Sequence, residues 1–418
     1  MQEERYDIAI AGGGSAGVAA AVAAARTGMK TILIERQSAF GGAATNAWVS
    51  AYCGFYTRGE QPIQVVFGVG EEILQRLKEY GEDINYTISP STKNASIRFH
   101  PEMIKLVLDD LISESAVTAR LFTGVIGVNK RGNRIESILL QDDEKTYRVR
   151  AKAFIDTTGN GNLLHMAGLS TDWGNEAGEV QQSSLACLLQ GIPSHEISME
   201  TLTKAIREEK KNLKTSEFLD KERGLIVKVP SDDYGFLTIP SETLSDLTGA
   251  EKTCAIMRLR KKARAYTEAL RKHAEGFDSA RLFATAAEIG IREARRMHGK
   301  ETVTGEDVLR SQKRENRIAK GGWPAEIHYE KGLHYIETGD NDWFDIPMGA
   351  LMSRDLENVF AGGRNISCDS VALASLRVMG TGFATGQAAG VIASVYCRDH
   401  EIDVKKVQRI LNDQDARI

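Results

Sequence analysis

The stretch IAIAGGGSAGVAAAVAAARTGMKTILIER, residues 8–36, holds the pattern that decides the fold of this sequence. Residues 6–11 are a short apolar run ending in glycine, which is typical of a buried parallel strand. The alanine-rich residues 15–27 predict a helix, and residues 30–35 predict a second buried strand. Strand, glycine turn, helix and strand together predict a βαβ unit of about 30 residues.

The glycine turn has the spacing GxGxxG, formed by Gly12, Gly14 and Gly17. In this pattern the first glycine permits a tight turn, the second lets the backbone approach a pyrophosphate, and the third allows close helix packing. The free N–H groups of the following helix then face the phosphates. GxGxxG alone also occurs as a turn in unrelated α/β folds, but the surrounding βαβ unit favours a dinucleotide site.

Glu35 ends the second predicted strand, about 20 residues after the glycine turn, where an acid is expected to bind a ribose hydroxyl. A carboxylate at this position would repel the 2′-phosphate of NADP, so the pattern argues against that cofactor.

Composition sets the broad class. The chain has 418 residues, a net charge of −4 and 42% hydrophobic residues, which indicates an ordinary globular protein of two or three domains. Neither a basic surface for nucleic acid nor a membrane span is expected. The five cysteines include no CxxC pair, and the polar N-terminus does not resemble a signal peptide. We therefore expect a cytoplasmic protein without a metal site, and a homo-oligomer is compatible with this sequence.

Further glycine-rich segments follow the βαβ unit. GGAATNA (residues 41–47) replaces the next helix–strand repeat, and a helix (HPEMIKLVLDDLI), a β-meander and the buried strand of FIDTTGNG come later. The segments EIGIREARRMHGKETVTGEDVL (288–309) and NVFAGGRNISCDSVALASLRVMGTGFATGQAAG (358–390) complete the pattern. In the last segment a buried strand ends at Gly362-Gly363, and Gly380-Thr381-Gly382 opens a helix of small residues.

These segments together resemble the FAD-dependent oxidoreductase family among the flavoproteins with two dinucleotide-binding motifs (glutathione-reductase-like), over nearly the whole chain. The resemblance implies an α/β fold: a Rossmann-like FAD-binding domain, with a parallel sheet and a β-meander, that carries an inserted α+β substrate or cap domain. It implies domain boundaries at residues 1–165 (FAD domain, first part), 166–355 (cap) and 356–418 (FAD domain, C-terminal part).

The resemblance also implies the residues that contact FAD. They are Gly12, Gly14, Ser15, Ala16, Gly17, Glu35, Arg36, Gly42, Ala43, Thr45, Val125, Thr158, Gly159, Gly363, Arg364, Gly380, Thr381 and Gly382. Many related flavoproteins have an acid directly after the C-terminal glycine, whereas this chain has Arg364, so the role of that side chain stays open.

Four residues are candidates for catalysis. Glu326 and His328 share one face of a predicted extended segment and form a plausible acid/base pair, the alternative being a surface histidine on a cap loop. Arg292 lies in REARRMHG, which we predict to be part of a helix over residues 279–297. That helix would place the three arginines of this segment near one face, where a carboxylate substrate could bind them; a solvated or ion-paired face is the competing interpretation. Arg377 precedes the flavin-facing helix and is a candidate clamp for substrate, or else a buried structural ion pair.

Cys53 and Cys368 lie in segments expected near the flavin, but a buried cysteine is usually structural. The middle of the chain has neither a second GxGxxG nor a redox CxxC, which argues against a built-in pyridine-nucleotide domain.

The sequence therefore predicts an FAD enzyme that transfers a hydride between a small organic substrate and flavin N5, with an unidentified electron acceptor or donor. Two alternatives stay open at this point: a non-redox flavoenzyme that needs reduced FAD, and an FAD subunit of an electron-transfer complex.

Overall fold

A computed structural model describes residues 2–212, 216–228, 234–330 and 332–418. The α-helices of these ranges are Ser15–Arg26 (α1), Val69–Glu79 (α2), Pro101–Glu114 (α3), Asn162–Met166 (α4), Met199–Glu209 (α5), Gly249–His273 (α6), Gly305–Leu309 (α7), Ser370–Leu376 (α8), Met379–Asp399 (α9) and Val404–Asp413 (α10). Short 3₁₀ helices are Ser216–Phe218, Met348–Leu351 and Gly363–Asn365.

The strands in chain order are Gln2–Arg5 (β1), Ile8–Ala11 (β2), Thr31–Ile34 (β3), Ala51–Cys53 (β4), Thr87–Ile88 (β5), Ala95–Arg98 (β6), Val117–Arg120 (β7), Gly124–Arg131 (β8), Arg134–Gln141 (β9), Thr146–Arg150 (β10), Ala153–Asp156 (β11), Thr171–Asp172 (β12), Ser183–Ser184 (β13), Cys187–Gln190 (β14), Ile226–Lys228 (β15), Tyr234–Leu237 (β16), Ser241–Glu242 (β17), Arg281–Thr285 (β18), Arg296–Met297 (β19), Arg317–Gly321 (β20), Ala325–Tyr329 (β21), Gly332–Ile336 (β22), Phe344–Pro347 (β23) and Val359–Ala361 (β24).

The central layer is a parallel five-stranded sheet in the order β24-β11-β2-β3-β7. Every residue of β2, β3, β11 and β24 is buried, as expected of strands covered on both faces. The chain crosses from β2 to β3 through α1, so the predicted βαβ unit is confirmed. Because β2 occupies the middle of the sheet, the glycine turn that follows it lies at the central carboxyl edge, where ligands bind in such folds.

Helices α1 and α9 pack against each other more closely than ordinary side chains allow. A Cβ on Gly386 would lie 2.1 Å from the main-chain oxygen of Ala16, and one on Gly390 would lie 2.3 Å from that of Ala20. The small residues predicted in both helices therefore have a structural purpose. Their close packing holds the start of α9 beside the start of α1.

The predicted meander is confirmed as β8-β9-β10, joined in parallel by β1 at its edge. Val125 lies on β8, and the N–H of nearby Thr123 donates to the main-chain oxygen of Glu35 at 3.0 Å. This hydrogen bond links the meander to the end of β3.

A second hydrophobic core, between residues 185 and 286, belongs to the inserted region. It lies between the sheet β15-β16-β14-β18 and the helices α5 and α6. The first core includes buried residues from 8–169 and 297–411, so the chain from 297 onward already packs with the domain of the parallel sheet. The boundaries at 166 and 355 stay predictions.

The predicted helix over residues 279–297 is wrong. Residues 281–285 instead form β18, which pairs with β14, and the following residues are irregular as far as the short strand β19. Ala, Glu and Arg are good helix formers, but their helix propensities differ from those of other ordinary residues by less than about 1 kcal/mol each, and here pairing with a sheet edge overrides that preference. The sequence also predicts a strand over residues 224–229; β15 accounts for residues 226–228 of it, and residue 229 lies outside the described residues.

Among the described residues, no single helix has the length and apolar character needed to cross a membrane; α8 and α9 meet that test only as a pair bent by 97°.

Candidate functional site

The turn over residues 12–17, called the α1 turn below, is shaped by contacts of its own backbone. Gly12 has a φ of +99°, and a Cβ there would lie 2.6 Å from the main chain of Thr157. At Gly17 a Cβ would lie 1.8 Å from the Gly12 oxygen. The fold itself therefore requires glycine at both positions.

Gly14 differs from these two glycines. Its φ and ψ of −70° and −173° suit any residue, and a Cβ would come no closer than 3.9 Å to another protein atom. Gly14 is also the N-cap of α1, and no side chain caps this helix. A glycine that the protein's own packing does not need, next to free helix N–H groups, fits the close approach of a pyrophosphate.

Three further segments surround the α1 turn. A Cβ on Gly42 would lie 3.0 Å from the Gly14 Cα, and the Gly41 N–H donates to the Gly13 oxygen at 2.8 Å. From the C-terminal part, a Cβ on Gly363 would lie 3.1 Å from Ala16. The structure thus brings predicted cofactor residues from distant parts of the chain together at the start of α1.

The start of α9 belongs to the same surface. A Cβ on Gly382 would lie 3.8 Å from Ser15, and a Cβ on Gly380 would lie 2.7 Å from the Cys53 oxygen. No side chain caps α9 either. Thr381 is buried beside these two glycines. Two helix N-termini with their partial positive charge therefore lie near one another.

Loop residues on the other side of the α1 turn are held by hydrogen bonds. The Thr45 hydroxyl donates to the Phe40 oxygen at 2.6 Å, and the Val49 N–H donates to the Ala43 oxygen at 2.9 Å. These bonds shape the segment that carries Gly42.

Glu35 fixes the α1 turn from the end of β3. Its carboxylate accepts hydrogen bonds from the Gly13 N–H at 2.7 Å and from the Gln37 N–H at 2.9 Å. Arg36, which follows it, forms an ion pair with Glu288 of the inserted region at 2.9 Å. The predicted ribose-binding acid is thus held in place by main-chain donors.

The side chain of Arg364 ties two glycine-ended strands together. Its Nε donates to the Gly159 oxygen at 2.6 Å, and Nη2 donates to the Asn160 Oδ1 at 3.1 Å. Thr158 caps the same loop, since its hydroxyl donates to Asp156 and accepts from the Asn162 N–H. An acid at position 364 could not make these donations, which gives the departure at this position a physical reason.

The four predicted catalytic side chains also come together, in what we call the arginine cleft (Arg292, Glu326, His328 and Arg377). Arg377 Nη2 donates to the main-chain oxygen of Glu326 at 3.0 Å, and Arg292 Nη1 donates to the main-chain oxygen of Gln182 at 2.6 Å. The Gln182 N–H in turn donates to the His328 oxygen at 2.8 Å. All four side chains are partly buried and keep some exposure to solvent.

Glu326 and His328 lie on β21, which confirms the predicted extended segment. Arg377 is the C-cap of α8, two residues before α9 begins, which sets the arginine cleft beside the N-terminus of α9.

The predicted cluster of three arginines does not form, because residues 292–296 are not helical. Only Arg292 lies in the cleft. Arg295 Nη1 donates to the main-chain oxygen of Asn160 at 3.2 Å, and Arg296 forms a buried ion pair with Glu293 at 2.6 Å.

Charge within the cleft is unbalanced. Burial and the repulsion from Arg377 lower the pKa of Arg292 below its ordinary value, and the attraction of Glu326 opposes them. Burial and both arginines push the pKa of His328 well below its usual range, so this imidazole is neutral at pH 7. Burial also raises the pKa of Glu326, although Arg377 opposes that effect.

Several cleft residues escaped the sequence analysis. Asn94 donates to the Glu326 Oε1 at 3.1 Å and accepts from the Tyr335 hydroxyl at 2.9 Å. Gln181 Oε1 accepts from the His328 N–H at 3.3 Å. Only the Gln181-Gln182 pair gives a sequence signal, as two amides directly before a strand.

The two cysteines expected near the flavin have ordinary structural surroundings. Burial raises the pKa of the Cys53 and Cys368 thiols to about 12. Both are therefore protonated at neutral pH, which favours the structural interpretation over a reactive thiolate.

Comparison with known proteins gives the family. A family model described as FAD dependent oxidoreductase matches residues 7–411. Thioredoxin reductase from Ureaplasma parvum serovar 3 is 30% identical over 120 residues, a match that covers 28% of this chain and 36% of that relative.

Solved structures agree on the fold. BexE, described in connection with oxidation during BE-7585A biosynthesis, superposes with a TM-score of 0.51 at 12% identity over 98% of this chain and 66% of its own. CabE, an aromatic hydroxylase from angucycline biosynthesis, gives 0.50 at 9% identity over 99% of this chain and 66% of its own. At such identity the likeness concerns the fold alone. With the family match over almost the whole chain, it follows that this protein belongs to the FAD dependent oxidoreductase family and that its cofactor is FAD.

Proposed function

We propose that this protein transfers a hydride between a small organic substrate and N5 of its flavin, in the arginine cleft. The observation that carries the proposal is the hydrogen bond from Arg377 to the Glu326 main chain. This bond joins β21, which carries Glu326 and His328, to the segment directly before α9. Substrate-binding groups and one of the two uncapped helix N-termini thereby border the same space.

For the cofactor we propose contacts through the α1 turn, Gly42, Gly363 and the start of α9. Free main-chain N–H groups at the two uncapped helices suit the pyrophosphate and the electron-rich edge of the flavin. Glu35 keeps unused acceptor capacity on its carboxylate, since each oxygen accepts one recorded bond, and we assign it to the ribose. When bound, FAD supplies a two-electron centre that takes up or gives back a hydride.

The residues of the cleft bind and orient the substrate and manage its proton. When a C–H carbon gives up a hydride, the adjoining O–H or N–H must lose a proton as the new double bond forms. The neutral imidazole of His328 accepts that proton at a ring nitrogen, and it returns the proton in the opposite direction. Arg292 and Arg377 hold the substrate at a fixed distance from His328.

Anaerobic titration tests the proposal. Purified protein with the flavin absorption bands is mixed with alcohols, amines and hydroxy acids, and bleaching of the flavin is followed. Replacement of His328 with Ala is expected to retain FAD and to slow reduction by the effective substrate by about tenfold or more. His334→Ala is the matched control, because His334 lies exposed on the neighbouring strand β22.

Bleaching by NAD(P)H alone, with no response to any organic compound, would contradict the proposal. An unchanged rate in His328→Ala would remove His328 from the mechanism.

A further inference from the structure

We infer that the substrate carries a carboxylate, bound between the guanidinium groups of Arg292 and Arg377. The statement that this ligand is the substrate rests on the proposed function. The binding of a carboxylate in the arginine cleft stands on the geometry alone.

The two arginines lack the partners that buried arginines normally have. Throughout the described part of the chain, no Asp or Glu oxygen lies within 4.0 Å of either guanidinium. The hydrogen bonds found for them go to main-chain carbonyls, and Arg377 Nε is buried without a partner. Arg296 shows the contrast: it is more fully buried than either of them, and it is paired with Glu293 at 2.6 Å.

Arg292 and Arg377 face Glu326 here, while Glu293, which also attracts Arg377, is already ion-paired with Arg296. Arg292 and Arg377 repel each other, and Lys221 is repelled by Arg292 and adds to the positive potential around His328. Glu326 attracts both arginines, but it is itself stabilised in the neutral form by burial. Keeping such charges partly out of water is unfavourable unless an anion offsets them. A carboxylate matches two guanidinium forks in both charge and geometry.

Donors next to the arginines complete a site for oxygen atoms. The side chain of Gln181 is 1% exposed, and its Nε2 has no hydrogen-bond partner, while its Oε1 accepts from the His328 N–H. This amide donor therefore lies close to His328 and beside Gln182, the residue that holds Arg292. Hydrogen-bond donors without a partner, next to two guanidinium groups, favour an oxygen-rich anion over a hydrophobic substrate.

Binding to the oxidised holoenzyme tests the inference without turnover. Acetate, succinate and benzoate are titrated in, and the perturbation of the flavin spectrum is compared with that from acetamide, succinamide and benzamide. We expect saturable binding of at least one carboxylate and an affinity for its amide that is lower by about tenfold or more.

Charge-removing variants locate the site. Arg292→Gln and Arg377→Gln are each expected to weaken carboxylate binding by about tenfold or more, with FAD retained. Arg260→Gln, on the exposed face of α6, removes the same charge and is expected to leave binding unchanged. If either cleft variant fails to fold, competition by chloride and sulfate against the carboxylate in the wild-type protein replaces it, and competitive displacement is expected.

Equal affinity for a carboxylate and its amide would overturn the inference. So would arginine variants that alter the reduced flavin but not carboxylate binding, because the arginines would then serve the cofactor. Saturable, arginine-dependent carboxylate binding in a protein that no organic compound reduces would sink the proposed function and leave the carboxylate site standing.

Discussion

Main-chain atoms form most of the surface around the α1 turn, whereas side chains from three separate segments form the arginine cleft. Around Gly12 and Gly17 the spacing between backbone atoms dictates the residue type. In the cleft, by contrast, nothing in the local backbone demands an arginine at 292 or 377. A surface built by the main chain is encoded in a few adjacent residues, while a surface built by side chains depends on how the whole chain folds.

The largest effect is expected from a comparison of two glycines within the α1 turn, Gly17 and Gly14. Gly17→Ala places a Cβ against the Gly12 oxygen, 1.8 Å away before relaxation, and should cost about 3 kcal/mol of unfolding free energy. Gly14→Ala should change the stability of the apoprotein by no more than about 0.5 kcal/mol, because the position is open and its backbone is ordinary. Urea unfolding of both apoproteins measures the difference.

FAD retention should reveal the role of Gly14 that the stability measurement does not. Gly14→Val is expected to purify without flavin despite a stable fold, since its side chain would occupy the place of the pyrophosphate. A yellow Gly14→Val protein would mean that the pyrophosphate does not approach Gly14, whereas a Gly14→Ala apoprotein as unstable as Gly17→Ala would mean that Gly14 is a structural glycine like its neighbours.

The difference between the two regions explains what the sequence could reveal. The βαβ unit, the α9 glycines and the acid at Glu35 follow from short-range patterns, and the sheet order agrees with them. The helix expected around Arg292 failed because the pairing of β18 with β14 is a contact between residues about 95 positions apart. Asn94 and Tyr335 were missed for the same reason, since only the folded chain brings them to Glu326.

Glu35 offers the next test, because it is the side chain on which the α1 turn relies. Glu35→Gln keeps one oxygen acceptor but turns an NH₂ group toward a main-chain donor, either Gly13 or Gln37. A mispaired donor of this kind costs about 1–3 kcal/mol, so FAD affinity should fall by about tenfold. Reconstitution of apoprotein with FAD measures it, with Glu401→Gln, at an exposed position, as the control. Unchanged affinity would show that the turn holds its shape without the carboxylate.

In the arginine cleft, Glu326→Gln should act in the opposite direction from the arginine variants. The glutamine can still accept from Asn94, but it no longer offsets the arginines, so carboxylate affinity should rise by about fivefold, roughly 1 kcal/mol. Because the pKa of Glu326 is raised by burial, the wild type and the variant should converge at low pH, where Glu326 is protonated and neutral. Flavin difference titrations from pH 6 to 9 follow this divergence. Weaker binding in the variant would show that Glu326 contacts the ligand directly.

The smallest expected effect concerns Lys221, at the edge of the arginine cleft. Burial and the nearby Arg292 and Lys262 lower its pKa to about 8, while Asp220 opposes them. The ammonium is therefore charged below about pH 8 and neutral above it, so carboxylate affinity should fall by about two- to threefold between pH 7 and 9. The measurement is made in the Glu326→Gln background, where the Glu326 carboxyl no longer titrates. Adding Lys221→Gln should remove the pH step and lower the affinity at pH 7 to the value otherwise reached at pH 9. If the step survives that change, the titrating group lies elsewhere, and the positive charge of the cleft comes from the two arginines alone.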